Sequence, residues 1–204
     1  MEIGSSERAS KIWVRAREAS PFTVRKRIIV GLWWLVQATL FRMSPHPMHA
    51  WRRSLLRLFG AKMGAGSGVH ASVKVWFPGN LSIGEHSGIG FDSVIYNLDK
   101  VEIDDFVSVA QRVHLNTGTH DYSDPAFTLV AKPIVIKSGA FIGTDTYVGP
   151  GVVIGEMAVI GARSVVTKSM PAEMVCYGHP CRPIKPREKK DNAVFSCNQK
   201  PGPQ

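Results

Sequence analysis

From Ile136 onward an aliphatic residue returns at every sixth position: Ile136, Ile142, Val148, Ile154, Ile160 and Val166. A period of 2.0 or 3.6 residues cannot produce that spacing, so neither an alternating strand nor an α-helix accounts for it. A six-residue unit reads as one short strand plus one tight turn, and three units close a triangular coil whose inward side chains stack on those of the coil below. Small or modest β-branched residues return four positions later, at Ala140, Thr146, Val152, Ala158 and Ser164, and glycine follows the aliphatic residue at Gly143, Gly149, Gly155 and Gly161. Upstream the period runs through Val69 and Val75, then Ile83, Ile89 and Ile95, and resumes two residues late at Ile103, Val109 and Leu115. The spacing predicts a mainly β chain forming a parallel β-helix of about four to five coils between Val69 and Met170. Periodicity leaves the hand of that helix open.

The repeat is interrupted once, over residues 116–133, NTGTHDYSDPAFTLVAKP. An excursion of that length from a regular solenoid is commonly functional. The 204 residues suffice for one packed core. They divide into a basic helical segment at 1–62, the β-helix at 63–185, and a tail at 186–204. That tail is rich in Lys, Asn, Gln and Pro, lacks periodicity, and is expected to be disordered.

Helical spacing is confined to the first segment. Between Met48 and Phe59 the apolar Met48, Trp51, Leu55, Leu58 and Phe59 recur at three- and four-residue steps, with Arg52, Arg53 and Arg57 on another face. Pro45 and Pro47 precede this basic amphipathic helix and Gly60 follows it. A further helix is predicted over Val24 to Phe41. Its apolar run from Ile28 to Phe41 is shorter than the roughly 20 residues needed to cross a bilayer. Three readings suit residues 24–59: cover for the first coil, which is the default for a solenoid end, trimer packing, or peripheral docking on a membrane.

The net charge of +9 is N-terminal: residues 1–62 carry twelve Lys and Arg against Glu2, Glu7 and Glu18, and the rest balances at thirteen of each sign. A main domain without excess positive charge argues against nucleic-acid binding. The opening residues lack the order of a secretory signal. Cys176, Cys181 and Cys197 are odd in number with no CxxC spacing, which suggests neither a disulfide framework nor a zinc ribbon and fits a reducing, cytoplasmic setting.

The blocks WRRSLLRLFGAKMG, THDYSDPAF, KPIVIKSGAFIGTDTYVGPGVVIG, IGARSVVTKSMP and GHPCRPIKPR together resemble the hexapeptide-repeat acyltransferases, in particular the O-acetyltransferases of exopolysaccharide synthesis typified by the colanic acid enzymes. Galactoside and maltose acetyltransferases are similar through the second half. The resemblance implies a left-handed coil, a homotrimer, and an active site in a groove between adjacent β-helices along which acetyl-CoA lies. It implies a saccharide or lipid-linked saccharide acceptor at the inner face of the membrane. It also matches the family's catalytic histidine to His120, its acceptor-binding asparagine to Asn97, and its CoA contacts to Thr144, Ala162, Thr167, Lys168, Arg182 and Lys185. Tyr177 and His179 depart from the family's GNPA-like segment, and Lys137 and Ser138 from its usual turn residues.

A sugar hydroxyl attacks a thioester only when a base near neutral pKa takes its proton, which suits histidine. His120 then accepts the proton and CoA thiolate leaves, with a backbone N–H, for example at Thr144, facing the oxyanion. In the plainer reading, His120 caps a turn with Asp121 and Asp124. These two carboxylates are candidates for the acceptor side or for orienting the imidazole, although Asp turns also arise from local hydrogen bonding. Asn97 is open to the same doubt, since a buried turn asparagine has the same sequence signature. Lys168 and Arg182 suit CoA phosphates, as a point charge and a fork. His70, His86, His114 and His179 read as surface or structural residues. Two rivals stand beside the transferase: a gamma-class carbonic anhydrase holding zinc through residues such as His86, His114 and His120, and a non-enzymatic scaffold. For the transferase itself no metal is expected.

Overall fold

The computed structural model describes residues 23–188. The first 22 residues, Cys197 and the tail beyond Glu188, whose disorder the composition predicts, lie outside them.

Each coil lays one short strand on each of three faces. Face A stacks β1 (Lys62–Met63), β4 (Leu81–Ile83), β7 (Val101–Ile103), β12 (Ile134–Ile136) and β15 (Val153–Ile154). Face B stacks β2 (Gly68–Val69), β5 (Gly88–Ile89), β8 (Ser108–Val109), β13 (Phe141–Ile142), β16 (Val159–Ile160) and β18 (Met174–Gly178). Face C stacks β3 (Lys74–Val75), β6 (Val94–Tyr96), β9 (His114–Asn116), β14 (Tyr147–Val148) and β17 (Val165–Val166). The stacked pairs are parallel, and register sets Val109 on Ile142 and Ile142 on Ile160. The six aliphatic residues that set the period from Ile136 to Val166 are each 0% exposed. The small residues four positions on, Ala140 to Ser164, are buried at the corners. Each buried aliphatic side chain contributes roughly 1.5–3 kcal/mol of transfer free energy, so the period is itself the main source of stability. Five complete coils form, and β18, closed by the antiparallel β19 (Cys181–Pro186), begins a sixth. Cys176 and Cys181 are free and buried there, and burial pushes the Cys176 thiol up to about 11.

The corner from face B to face C carries its own stack. Asp92, Arg112, Asp145 and Arg163 occupy successive turns with φ of 57°, 54°, 60° and 59°, a left-handed conformation that disfavours side chains. Their charges alternate along the column. Arg112 grips Asp145 with Nε at 2.7 Å and Nη2 at 3.0 Å, and Arg163 approaches it at 3.8 Å. The Arg112 hydrogen bond holds the Asp145 carboxyl below its ordinary value. A depressed carboxylate pKa gives stability that is present above the unfolded-state value and is lost as pH falls through the folded one. In acid titrations of thermal stability, Asp145→Asn should therefore be less stable than wild type near neutrality and lose less of that stability on acidification.

The open N-terminal edge of the solenoid exposes carbonyls that need partners, and the helical segment supplies them. Helix α1 (Val24–Val36) runs into a π-helical turn at Gln37–Phe41. Trp33 Nε1 donates to the Val75 carbonyl at 2.8 Å, and Gln37 Oε1 accepts from Val75 N at 2.7 Å. Helix α2 (His49–Leu58) brings its arginines to the first coil: Arg52 Nε reaches Val69 O (2.7 Å), Arg53 Nη1 reaches Ser67 O (2.7 Å), and Arg57 Nη2 reaches Met63 O (2.5 Å). Arg52 is wholly buried, whereas Trp51 and Leu58 are exposed. The inner side of α2 is therefore mixed: Arg52 is buried beside Leu55 and Leu56, while Arg57 stays exposed and reaches the edge with its guanidinium, because the edge offers carbonyls as well as apolar side chains.

Candidate active site

The excursion at 116–133 folds as a hairpin at the corner between faces C and A. Strand β10 (Gly118–His120) pairs antiparallel with β11 (Leu129–Ala131), placing His120 opposite Leu129 at the end of the ladder. The base is fixed by Thr117, fully buried, whose hydroxyl donates to Tyr96 O and accepts from Asp99 N. Gly118 packs closely under the ends of the Leu98 and Tyr96 side chains, which a side chain at 118 would push aside.

His120 is exposed at the head of this hairpin. Its Nδ1 lies 2.9 Å from the Phe127 carbonyl. A carbonyl only accepts, so Nδ1 carries the proton and the neutral ring presents a lone pair at Nε2. The ring stacks on Phe127 with centroids 4.5 Å apart and planes 9° from parallel. The Phe127 carbonyl thus fixes the tautomer and the Phe127 ring fixes the orientation. Phe127 lies within THDYSDPAF. No sequence signal marks a residue that acts through its backbone.

The two carboxylates make their hydrogen bonds within the turn rather than to the imidazole. Asp121 Oδ1 accepts from Ser123 N and Oγ and from Asp124 N, and Asp124 accepts from Ala126 N and the Thr128 hydroxyl. These bonds, led by the Ser123 and Thr128 hydroxyls, hold both carboxyls below their ordinary values. The carboxylates shape the turn that delivers Phe127 to His120. The Asn97 side chain is 0% exposed, with Oδ1 accepting from Phe77 N (2.9 Å) and Nδ2 donating to Phe77 O (2.7 Å). Both ends of the amide serve as a clamp between coils at the two-residue register jump.

The six expected donor-binding residues fall at two edges of face C and beyond it. Thr144 and Ala162 share the corner from face B to face C on adjacent coils, where Arg163 N donates to Thr144 O at 2.8 Å. Arg182 pairs with Tyr177 in the terminal hairpin. Thr167 and Lys168 follow β17 at the opposite edge, the corner from which the hairpin springs, and Thr167 lies against Gly149. Lys168 and Arg182 are exposed and make no ion pair among the described residues, whereas Lys185 Nζ is 3.4 Å from Glu188. A face spans at most about 20 Å, six residues at ~3.3 Å each, so the two edges bracket one face of the lower coils.

The histidines considered for zinc do not converge within the chain. His86 stacks on Phe106 at the corner between faces A and B, His114 lies on face C against Tyr147, and His120 stands on the hairpin. Among the described residues no three His, Cys, Asp or Glu side chains could hold a metal ion.

Residues 133–168 match the family model described as bacterial transferase hexapeptide (six repeats). The chain is 44% identical over 160 residues, 78% of its length and 88% of the relative's, to the Escherichia coli K12 protein assigned as colanic acid biosynthesis acetyltransferase WcaF. It is 32% identical over 154 residues to the galactoside O-acetyltransferase of the same organism, covering 74% of this chain and 76% of that one. A solved galactoside acetyltransferase in complex with coenzyme A superposes with a TM-score of 0.76 at 27% identity, over 87% of this chain and 91% of the other.

Proposed function

The chain belongs to the hexapeptide-repeat acyltransferases, and on that premise we propose an acetyl-CoA-dependent O-acetyltransferase of exopolysaccharide biosynthesis in which His120 is the general base. The observation that carries the role of His120 is the bond from its Nδ1–H to the Phe127 carbonyl, which leaves Nε2 free to accept a proton. His120 Nε2 takes the proton of the acceptor hydroxyl as that oxygen bonds to the thioester carbonyl carbon. Collapse of the tetrahedral oxyanion breaks the carbon–sulfur bond and releases CoA thiolate, and the imidazolium gives up its proton. The products are the O-acetyl sugar and CoA. The Thr144 backbone N–H is the candidate donor to the oxyanion.

The donor site in this reading comprises Thr144, Ala162, Thr167, Lys168, Arg182 and Lys185. It suits a long, phosphate-bearing thioester, with small stacked side chains at one edge of face C and exposed cations, Lys168 and Arg182, that make no ion pair among the described residues. We assign the assembly as a homotrimer of left-handed helices with the groove between protomers; the open position of His120 within one chain supports this. The acceptor is a saccharide or lipid-linked saccharide met at the cytoplasmic face of a membrane. Among the described residues no helix is long and apolar enough to cross one. Peripheral contact is supported by α1, whose Val24, Ile28, Leu32 and Leu35 are 54–71% exposed beside Arg25 and Arg27.

Acetyl-CoA should raise the melting temperature in a dose-dependent way, because a ligand that binds only the native state stabilises it. Lys168→Ala should weaken the shift. No shift at donor concentrations well above micromolar would sink the transferase reading.

A further inference from the structure

Helix α1 turns its largest aliphatic side chains away from the prism. At 3.6 residues per turn, Val24, Ile28, Leu32 and Leu35 form one stripe, opposite the buried Trp33. The π-helical turn at Gln37–Phe41 carries that stripe onward. Its bond from Arg42 N to Gln37 O (3.2 Å) closes a wider turn of the i→i+5 type, so Leu40, five residues after Leu35, falls where a regular helix places the fourth. Met43 follows three residues later, and all six side chains are more than half exposed. The result is a convex apolar ridge about 30 Å long, some twenty residues at ~1.5 Å each. Single π-turns are rare and are found frequently at functional sites.

The charge around the ridge has one sign. From Thr23 to Gly84 the chain holds nine Lys and Arg and no Asp or Glu. Arg52, Arg53 and Arg57 are bonded to the first coil, and Lys26 lies over the Phe77 ring at 4.7 Å. Arg25 and Arg27 flank the first turn of the stripe on its two sides and Arg42 stands near its far end, all three exposed. Long basic side chains beside an apolar ridge keep their stems on hydrocarbon while their heads reach anions. Hydrocarbon beside a layer of anions is what the surface of an anionic bilayer offers. A second copy of the chain brings the same positive charge to such a contact, which opposes it.

We propose that α1 and its π-turn form a docking surface for an anionic lipid bilayer. The helix lies in the interface plane with the stripe toward the acyl chains and Arg25, Arg27 and Arg42 among the phosphates. The peripheral contact proposed above is thereby narrowed to one helix face and one class of lipid, and only its purpose rests on the acceptor being membrane-borne. Docking in this way sets the first coil nearest the bilayer, because Trp33 and Gln37 on the other side of the helix hold Val75 of that coil.

The test is sedimentation of the full chain with vesicles of phosphatidylcholine, with and without phosphatidylglycerol, at low and high salt. Wild type should bind the phosphatidylglycerol vesicles far more tightly than phosphatidylcholine alone, and salt should weaken that binding. Arg25→Gln combined with Arg27→Gln should weaken it about twentyfold, at about fivefold for each basic residue. Ile28→Glu combined with Leu32→Glu should weaken it about a hundredfold, since two aliphatic side chains no longer enter the acyl region. Both double variants change exposed residues, so each should keep its molecular mass in solution, its thermal shift with acetyl-CoA and its turnover of a soluble saccharide acceptor. Vesicle binding by a wild-type protein that shows no acetyl-CoA shift would sink the transferase reading and leave this surface standing. Failure to bind phosphatidylglycerol vesicles, or equal binding to both kinds, overturns the proposal. Undiminished binding by the double variants also overturns it, by assigning the lipid contact to another segment such as the first 22 residues, whose Arg8, Lys11, Arg15 and Arg17 remain in every variant. A lower molecular mass in the glutamate variant overturns it in favour of a contact between copies.

Discussion

Replacing His120 with alanine should lower kcat by about a thousandfold, within the range of 10²–10⁴ typical of a lost general base, and leave the acetyl-CoA thermal shift unchanged. The separation of these two effects is the informative part. His120 sits on the hairpin and touches Phe127, whereas the residues assigned to the donor lie on the coils beneath, so removing the imidazole removes no donor contact. Phe127→Ala keeps the carbonyl that fixes the tautomer and loses the ring that fixes the orientation, so its loss should be smaller, about tenfold. A variant at 120 that retained wild-type turnover with a defined sugar acceptor would return His120 to the role of a turn residue.

The largest effect on stability is expected at Arg52. Its guanidinium donates to the carbonyls of Val69, Pro45 and His46 and to the Ser44 hydroxyl, all within 2.7–2.9 Å. Arg52→Ala strands several acceptors in a buried site at about 1–3 kcal/mol each before relaxation, and a net cost of roughly 4 kcal/mol is expected. For a domain of this length that is a fall in melting temperature of about 10 °C. Lysine should recover little of it, because a single ammonium with three donors cannot span four acceptors set around a planar fork. Arg57→Ala breaks one partly exposed bond, to Met63 O, and should cost about 1 kcal/mol. Urea unfolding of the three variants would rank them, and an Arg52→Ala protein as stable as wild type would contradict the assignment of α2 as an edge cap.

The helical segment shows where sequence reasoning reaches its limit. Spacing located α2 within a residue or two of its ends and sorted its residues onto faces, but the sorting did not say which face turns inward. Amphipathicity predicts a buried apolar face when the partner surface is apolar. Here the partner is the open edge of a solenoid, which offers carbonyls as well as apolar side chains, so Arg52 is buried together with Leu55 and Leu56 while Leu58 is left 78% exposed. At Asn97 the sequence leaves two meanings of one residue type open, acceptor binding or a buried turn. Only the position of Phe77, twenty residues away and one coil above, shows that both ends of the amide are spent.

By itself the sequence determined the coil, because a six-residue period with aliphatic residues at one phase buries them by coiling, in either hand, and the interruption at 116–133 marked where the coil yields to a hairpin. It also singled out His120, through the company that residue keeps in THDYSDPAF. The tertiary structure decided the rest: that the Phe127 carbonyl meets His120 Nδ1, that the arginines reach the edge carbonyls, and that histidines far apart in sequence line one cavity. The reason is common to all three. Periodicity records which side chains share a face, whereas hydrogen-bond partners are chosen by atoms brought together across coils and by backbone groups that carry no letter of their own.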